Sequence, residues 1–270
     1  MTVPLLSVRN LTASVATRHE RVQAVRGISF DIGANEAVGF VGESGCGKSV
    51  TARALMRLAP EGAAIDLGGS ILFRGEDILA LDEAAMRDLR GRRIAMVFQD
   101  PMTSLNPVMT IGAQMADMLR RHLKLSGAAA RERAIDLLGL VGIPDPERRI
   151  DWHPHQFSGG QRQRVLIAIA ISCEPDLLIA DEPTTALDVT VQAQILRLLM
   201  RLRQERGMAL MLITHDFGVV AGMVDRVNVM YRGEIVETGP VGEVFASPRH
   251  AYTRALLDAV PRLDGMGSAR

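Results

Sequence analysis

An apolar run, Ala37 to Val41, passes directly into G-E-S-G-C-G-K-S at Gly42 to Ser49, and this junction limits the fold more than any other stretch. The octapeptide fits G-x-x-x-x-G-K-[ST], a pattern that needs a buried strand, a glycine-rich loop and a helix opening at the lysine. Glycines let successive backbone N–H groups turn toward one anion, and the helix N-terminus adds its dipole. The four fixed positions arise by chance in about 1% of chains this long, and the preceding strand lowers that further. Lys48 is placed to reach the β- and γ-phosphates of a nucleotide, and the Ser49 hydroxyl to coordinate Mg²⁺. Gly42, Glu43, Ser44, Gly45, Cys46, Gly47 and Val50 complete the expected contact set. Cys46 has two readings: a small side chain tolerated in the loop, or a thiol exposed without nucleotide whose alkylation blocks binding.

Around this unit the chain alternates between two periods. L-L-S-V-R-N-L and V-Q-A-V-R-G-I-S-F-D-I read as antiparallel strands before the loop, with G-A-N-E as a turn. Ser70 to Phe73 and Ile94 to Phe98 read as further strands. From about Thr110 to Cys173 leucines and alanines recur at helical spacing. Strand character returns at Leu177 to Ala180, Ala209 to Thr214, Arg226 to Tyr231 and Glu234 to Thr238, with an amphipathic helix over Val189 to Arg206. The expected class is α/β, with a helical insert at roughly residues 100–174 and a loose tail at G-M-G-S-A-R.

A second motif, L-L-I-A-D-E at Leu177 to Glu182, is a buried strand ending in two carboxylates. Next to a phosphate loop, Asp181 should hold Mg²⁺, through water or directly, and Glu182 should polarise an attacking water. A third, F-S-G-G-Q at Phe157 to Gln161, precedes the helical run V-L-I-A-I-A-I. Ser158 with the N–H groups of Gly159 and Gly160 makes a second anion-binding helix N-terminus. A chain with two such sites either binds two nucleotides or shares each one with a neighbour.

Composition removes other classes. With 31 basic and 31 acidic side chains there is no global pull toward nucleic acid, and none is expected as a partner. Only Cys46 and Cys173 occur, far apart, so no disulfide frame or zinc site is expected. The N-terminus lacks a basic-then-apolar leader. The longest apolar run, Val165 to Ile171, falls well short of the ~20 residues of a spanning helix. The expectation is a soluble protein that serves a membrane, if at all, from outside the bilayer.

Taken in order, these motifs resemble those of ATP-binding cassette (ABC) ATPases, and the resemblance covers almost the whole chain. Gln99 in V-F-Q-D-P matches the Q-loop glutamine, which in the family senses Mg²⁺ and the attacking water. F-S-G-G-Q-R-Q-R matches the signature motif, with Phe157 where Leu is usual and in a position expected to pack rather than touch ATP. A-L-D at Ala186 to Asp188 matches the D-loop, and His215 in L-I-T-H-D the switch histidine. The resemblance implies a P-loop NTPase core with an N-terminal antiparallel β-subdomain and an inserted α-helical subdomain. It implies one cassette over 1–270: core and β-subdomain at 1–99 and 175–245, helical subdomain at 100–174, and a tail at 246–270. It resolves the two anion sites as shared: Ser158, Gly159, Gly160 and Gln161 act on the nucleotide held by a partner's Lys48, so a strict monomer should be inactive. ATP and Mg²⁺ are the implied cofactors.

The family usually stacks adenine on an aromatic in the first strand region, a position that falls at about Val15. Ala13 to His19 contain no Phe, Tyr or Trp, which leaves Val15, Val22, Arg18 or His19 as substitutes. Longer segments are similar to ATPase subunits of peptide and nickel importers: F-Q-D-P-M-T-S-L-N-P, H-P-H-Q-F-S-G-G-Q-R-Q-R-V, E-P-T-T-A-L-D-V-T-V-Q-A-Q-I-L and the tail S-P-R-H-A-Y-T-R-A-L-L-D-A-V-P, with Ala251 where Pro is usual. The resemblance implies two membrane permease subunits, a second cassette chain (identical or homologous) and, indirectly, an extracytoplasmic substrate-binding protein. It places the protein peripherally at the cytoplasmic face of the inner membrane. The alternative is the ATPase of a phosphonate-degrading complex.

Overall fold

The computed structural model describes residues 3–18, 20–185 and 187–259. The chain opens with β1 (Leu6–Ala16), β2 (Arg21–Ile32) and β3 (Ala37–Val41), then α1 (Lys48–Leu55), β4 (Ala64–Phe73), β5 (Glu76–Asp77), α2 (Glu83–Leu89) and β6 (Ile94–Val97). Helices follow: α3 (Pro101–Ser104), α4 (Ile111–Leu123), α5 (Gly127–Leu140), α6 (Pro146–Arg149) and α7 (Gly159–Ala170). The remainder is β7 (Leu177–Asp181), α8 (Val189–Arg206), β8 (Ala209–Thr214), α9 (Phe217–Val220), β9 (Arg226–Tyr231), β10 (Glu234–Pro240), α10 (Val241–Ala246) and α11 (Ala251–Asp258).

Two sheets organise these elements. An antiparallel sheet runs β2-β1-β4-β5, and a six-stranded sheet runs β10-β9-β3-β8-β7-β6. In the second, β3 lies between β8 and β9 and is parallel to both; only β10 pairs antiparallel. A parallel sheet must be covered on both faces, and the period of two shows how. Ala37 and Val41 enter one core while Val38 and Phe40 enter the other; Leu178 and Ala180 oppose Leu177 and Ile179 in the same way. The first core is filled from α4, α5, α7 and α8. The second is filled from α1, α2 and the antiparallel sheet, where Phe30 meets Phe40 edge-on at 4.8 Å. The loop after β3 therefore leaves the centre of the sheet, held from both sides.

The mixed α/β architecture is the one expected, and β3, β8, β9 and α8 have the boundaries read from the sequence. Two strands run well beyond the expected span at one end. β1 continues past Leu11 to Ala16, and β4 begins at Ala64 rather than Ser70. The cause is a paired irregularity: Asn10 is left-handed (φ 47) and lies opposite a register shift whose far side holds Gly68 and Gly69. A Cβ on Gly69 would lie 2.4 Å from the Asn10 carbonyl oxygen, so only glycine lets the two backbones meet there. The glycine pair, which lies just before the expected strand start, is a bulge inside the strand. The tail segment G-M-G-S-A-R lies outside the described residues.

Helix starts are capped by side chains as their sequences require. Thr110, Ser126 and Asp188 accept from the third residue on at α4, α5 and α8. No helix of the described residues is long and apolar enough to cross a membrane.

Candidate active site

The loop between β3 and α1 is shaped by two glycines. Gly42 (φ 152) passes so near β9 that a Cβ would lie 2.2 Å from the Met230 carbonyl oxygen, and at Gly47 (φ 107) one would lie 2.5 Å from the Ala24 carbonyl oxygen. From outside, the Gly233 N–H donates to the Cys46 carbonyl at 2.9 Å. Lys48 opens α1 and is buried. Its Nζ donates to the carbonyls of Gly42 at 2.6 Å and Glu43 at 2.9 Å, which bends the ammonium back over the loop.

Cys46 corrects the second of its two readings. The thiol is buried, belongs to the core beneath the loop, and lies 3.7 Å from Lys48 Nζ. Burial pushes its pKa up, against the pull of Lys48. Turning inward under Gly42 removes it from solvent, so an exposed reactive thiol is not what this loop presents.

The ends of α1 and β7 meet at Ser49 and Asp181: the Ser49 hydroxyl donates to Asp181 Oδ1 at 2.8 Å. Asp181 is buried, and burial raises its pKa, assisted by Glu182 and opposed by the Ser49 hydrogen bond. The next residue, Glu182, turns left-handed (φ 45) and brings its carboxylate out of the strand. Three side chains converge on Glu182 Oε2: Gln99 Nε2 at 3.1 Å, Thr185 Oγ1 at 2.9 Å and His215 Nδ1 at 3.4 Å. Thr185 is the participant that sequence reasoning passed over.

Glu182 stands between two cavities. One, of about 360 Å³, is lined by Ser44, Gly45, Gly47, Lys48, Ser49, Val50 and Gln99 together with Ala24. The other, of about 250 Å³, includes Thr184, Thr185, Leu187, Gln192 and His215. The ends of β7 and β8 thus meet, at Glu182, the cavity that the loop and the segment after β6 line. Its donor-rich wall, the opening of α1 and an acceptor pair at Asp181 and Glu182 suit a polyphosphate with a hard cation.

Ser158, Gly159, Gly160 and Gln161 do not line either cavity. Ser158 caps α7 in a reciprocal box: its hydroxyl accepts from the Gln161 N–H at 3.3 Å while Gln161 Oε1 accepts from the Ser158 N–H at 3.1 Å. Phe157 is buried edge-on against Trp152, with ring centroids 5.5 Å apart. Asp188 caps α8 by accepting from the Val191 N–H at 2.9 Å. Ala186 lies outside the described residues, as does His19. Val15 is half-buried in β1 between Val22 and Ile65 and does not line the Lys48 cavity. The aromatic that does reach the loop is Tyr252 on α11, whose hydroxyl accepts from the Glu43 N–H at 2.9 Å. The only sequence signal for it was its place in the S-P-R-H-A-Y-T segment.

Comparison with known proteins accounts for this arrangement. Residues 25–185 match the family described as ABC transporter, and residues 236–268 match the oligopeptide/dipeptide transporter C-terminal region. The chain is 53% identical over 264 residues to the dipeptide transport ATP-binding protein DppD of Bacillus subtilis, covering 98% of this chain and 79% of that one. It is also 53% identical to the oligopeptide transport ATP-binding protein OppD of the same organism, covering 97% of this chain and 74% of that one. Among solved structures, a dimeric ATP-binding cassette in a post-hydrolysis state with ADP and Pi superposes with a TM-score of 0.76 at 28% identity, covering 87% of this chain and 98% of that one. The cbiO1 cassette of Clostridium perfringens superposes at 0.75 with 30% identity, covering 91% of this chain and 92% of that one. A phosphate loop at the sheet centre, a carboxylate pair at the neighbouring strand end and these matches over nearly the full chain lead to one statement: the chain belongs to the ABC transporter family of ATP-binding cassettes, and it is an ATPase.

Proposed function

We propose that this chain powers a peptide importer as one of a pair of cassettes that close on ATP. The observation that carries the reading is the joint presence of the carboxylate cluster at Glu182 and a tail that matches the oligopeptide/dipeptide region. The relatives named above are dipeptide and oligopeptide transport proteins, which favours peptides over nickel and import over a phosphonate-degrading complex. The chain then works with membrane permeases and a substrate-binding protein, from the cytoplasmic face. The paired state has support in the dimeric solved cassette.

In this reading the loop N–H groups and Lys48 bind the β- and γ-phosphates, and the Lys48 ammonium leaves the Gly42 and Glu43 carbonyls to do so. Mg²⁺ fits the oxygen donors at Ser49 and Asp181, with Gln99 beside them, and when bound supplies charge neutralisation at the phosphates. Glu182 Oε2 takes the proton of the attacking water. Gln99 and Thr185 hold that carboxylate in place, and His215 stands beside it toward the γ-phosphate. Ser158 and the Gly159 and Gly160 N–H groups meet the phosphates bound by the partner cassette, consistent with their lying outside this chain's own cavities. Val15 and Val22 offer the adenine an aliphatic surface.

Deletion of the gene followed by uptake of labelled di- and oligopeptides tests the proposal. Uptake should fall to background and return with the wild-type chain but not with Glu182→Gln. Uptake unchanged by deletion, or rescued by Glu182→Gln, would overturn it.

A further inference from the structure

The Gly42 carbonyl and the Glu43 N–H belong to one peptide group, and this group is held at both ends. Lys48 Nζ donates to its oxygen at 2.6 Å, and the Tyr252 hydroxyl accepts from its N–H at 2.9 Å. A planar, resonant amide transmits such engagement: a partner on the N–H makes the carbonyl a better acceptor. The hydroxyl of a residue 204 positions away from Lys48 is therefore one amide from the lysine ammonium.

Tyr252 is itself fixed on three sides. Glu237 on β10 accepts from the Arg249 N–H at 2.7 Å and the His250 N–H at 3.0 Å, which anchors the segment before α11. His250 Nδ1 then accepts from the Tyr252 N–H at 3.2 Å and starts the helix. The Tyr252 ring rests on Tyr231 at the end of β9, with centroids 4.3 Å apart. β9 is also the strand whose Met230 carbonyl crowds Gly42. The hydroxyl is thus delivered to the loop by the tail and by the strand flanking β3, not by chance contact of a free side chain.

We infer that Tyr252 is a positioning residue for Lys48, acting through the Gly42–Glu43 peptide, so that the C-terminal segment sets how readily this cassette takes up ATP. The inference deepens the site reading above and rests on Lys48 as the phosphate-binding lysine. Tyr252→Phe keeps the ring on Tyr231 and removes only the oxygen, which leaves the Glu43 N–H without its acceptor.

Titration of the purified full chain with Mg-ATP should show Tyr252→Phe lowering Kd roughly two- to fivefold, a fraction of one hydrogen bond, because the weakened Gly42 acceptor releases the Lys48 ammonium more readily, with little change in the melting temperature of the nucleotide-free chain. In a Lys48→Met background the same change should leave Kd where that substitution puts it, because the two residues act in series. An unchanged or raised Kd in Tyr252→Phe, or an equal change in both backgrounds, would overturn the inference while leaving the lysine reading intact. Normal ATP binding by Lys48→Met would instead remove the lysine's role and the inference with it.

Discussion

Ser49 and Asp181 are 132 residues apart in sequence and share a 2.8 Å hydrogen bond that ties the first turn of α1 to the end of β7. Asp181 is buried and its pKa is raised by that burial. A carboxylate whose folded pKa exceeds its unfolded value binds more protons in the native state, so stability is lost as pH rises from the unfolded carboxylate range of about 4 through the folded value. Asp181→Asn removes that penalty while keeping an oxygen for Ser49. Its melting temperature should exceed that of the wild type at pH 7.5 by more than it does at pH 4.5, measured without nucleotide. Equal differences at both values would contradict a burial-driven shift.

Glu182→Gln should lower ATP turnover by roughly 10²-fold or more while ATP binding persists. The variant should then accumulate as a dimer on size exclusion in ATP, because closure is no longer relieved by hydrolysis. Near-normal turnover would defeat the assignment of Oε2 as the proton acceptor.

Cys46 should resist alkylation in the native chain. Its thiol is buried with a raised pKa, and thiolate is the reactive form. Peptide mass mapping after maleimide treatment should find it unmodified until denaturant is added. Rapid native labelling would mean that the loop opens far more readily than its glycine packing indicates.

Gly160 stands against α8: a Cβ there would lie 2.6 Å from Val191 Cγ1. Gly160→Ala should cost about 1–3 kcal/mol of stability in urea unfolding, and Val191→Ala in the same chain should recover much of it. No recovery would mean that the methyl is accommodated at another surface.

His215→Ala should reduce turnover at least roughly tenfold with ATP affinity largely kept, because His215 lies at the Glu182 carboxylate and does not line the Lys48 cavity. A loss confined to affinity would move the histidine from chemistry to binding.

The parts legible in the sequence were those with a local cause. β3, β8 and β9 are apolar runs buried on both faces, and α8 carries its cap and its periodicity within eighteen residues. The strand ends expected at Leu11 and Ser70 fell short because a bulge is a relation between two strands, which neither Asn10 nor Gly69 signals alone. α3, α9 and α10 span six residues or fewer, too short to show a helical period. In the site, Lys48, Ser49, Asp181 and Glu182 sit in recognisable short motifs. Thr185 lies between motifs, and Tyr252 reaches Glu43 across 209 positions, where no local pattern operates. Of the two readings of Cys46, the exposed thiol fails because the side chain turns inward under Gly42, which the residue types alone do not signal.

Three side chains from three separate segments meet at a single oxygen, Glu182 Oε2. The place of the carboxylate is set by all three at once, so the loss of any one contact frees it to shift. The atom therefore works as a coincidence detector. Movement of the segment after β6, of the turn after β7 or of the end of β8 registers there as a change in where the carboxylate sits, with no need for any of the three to touch the others.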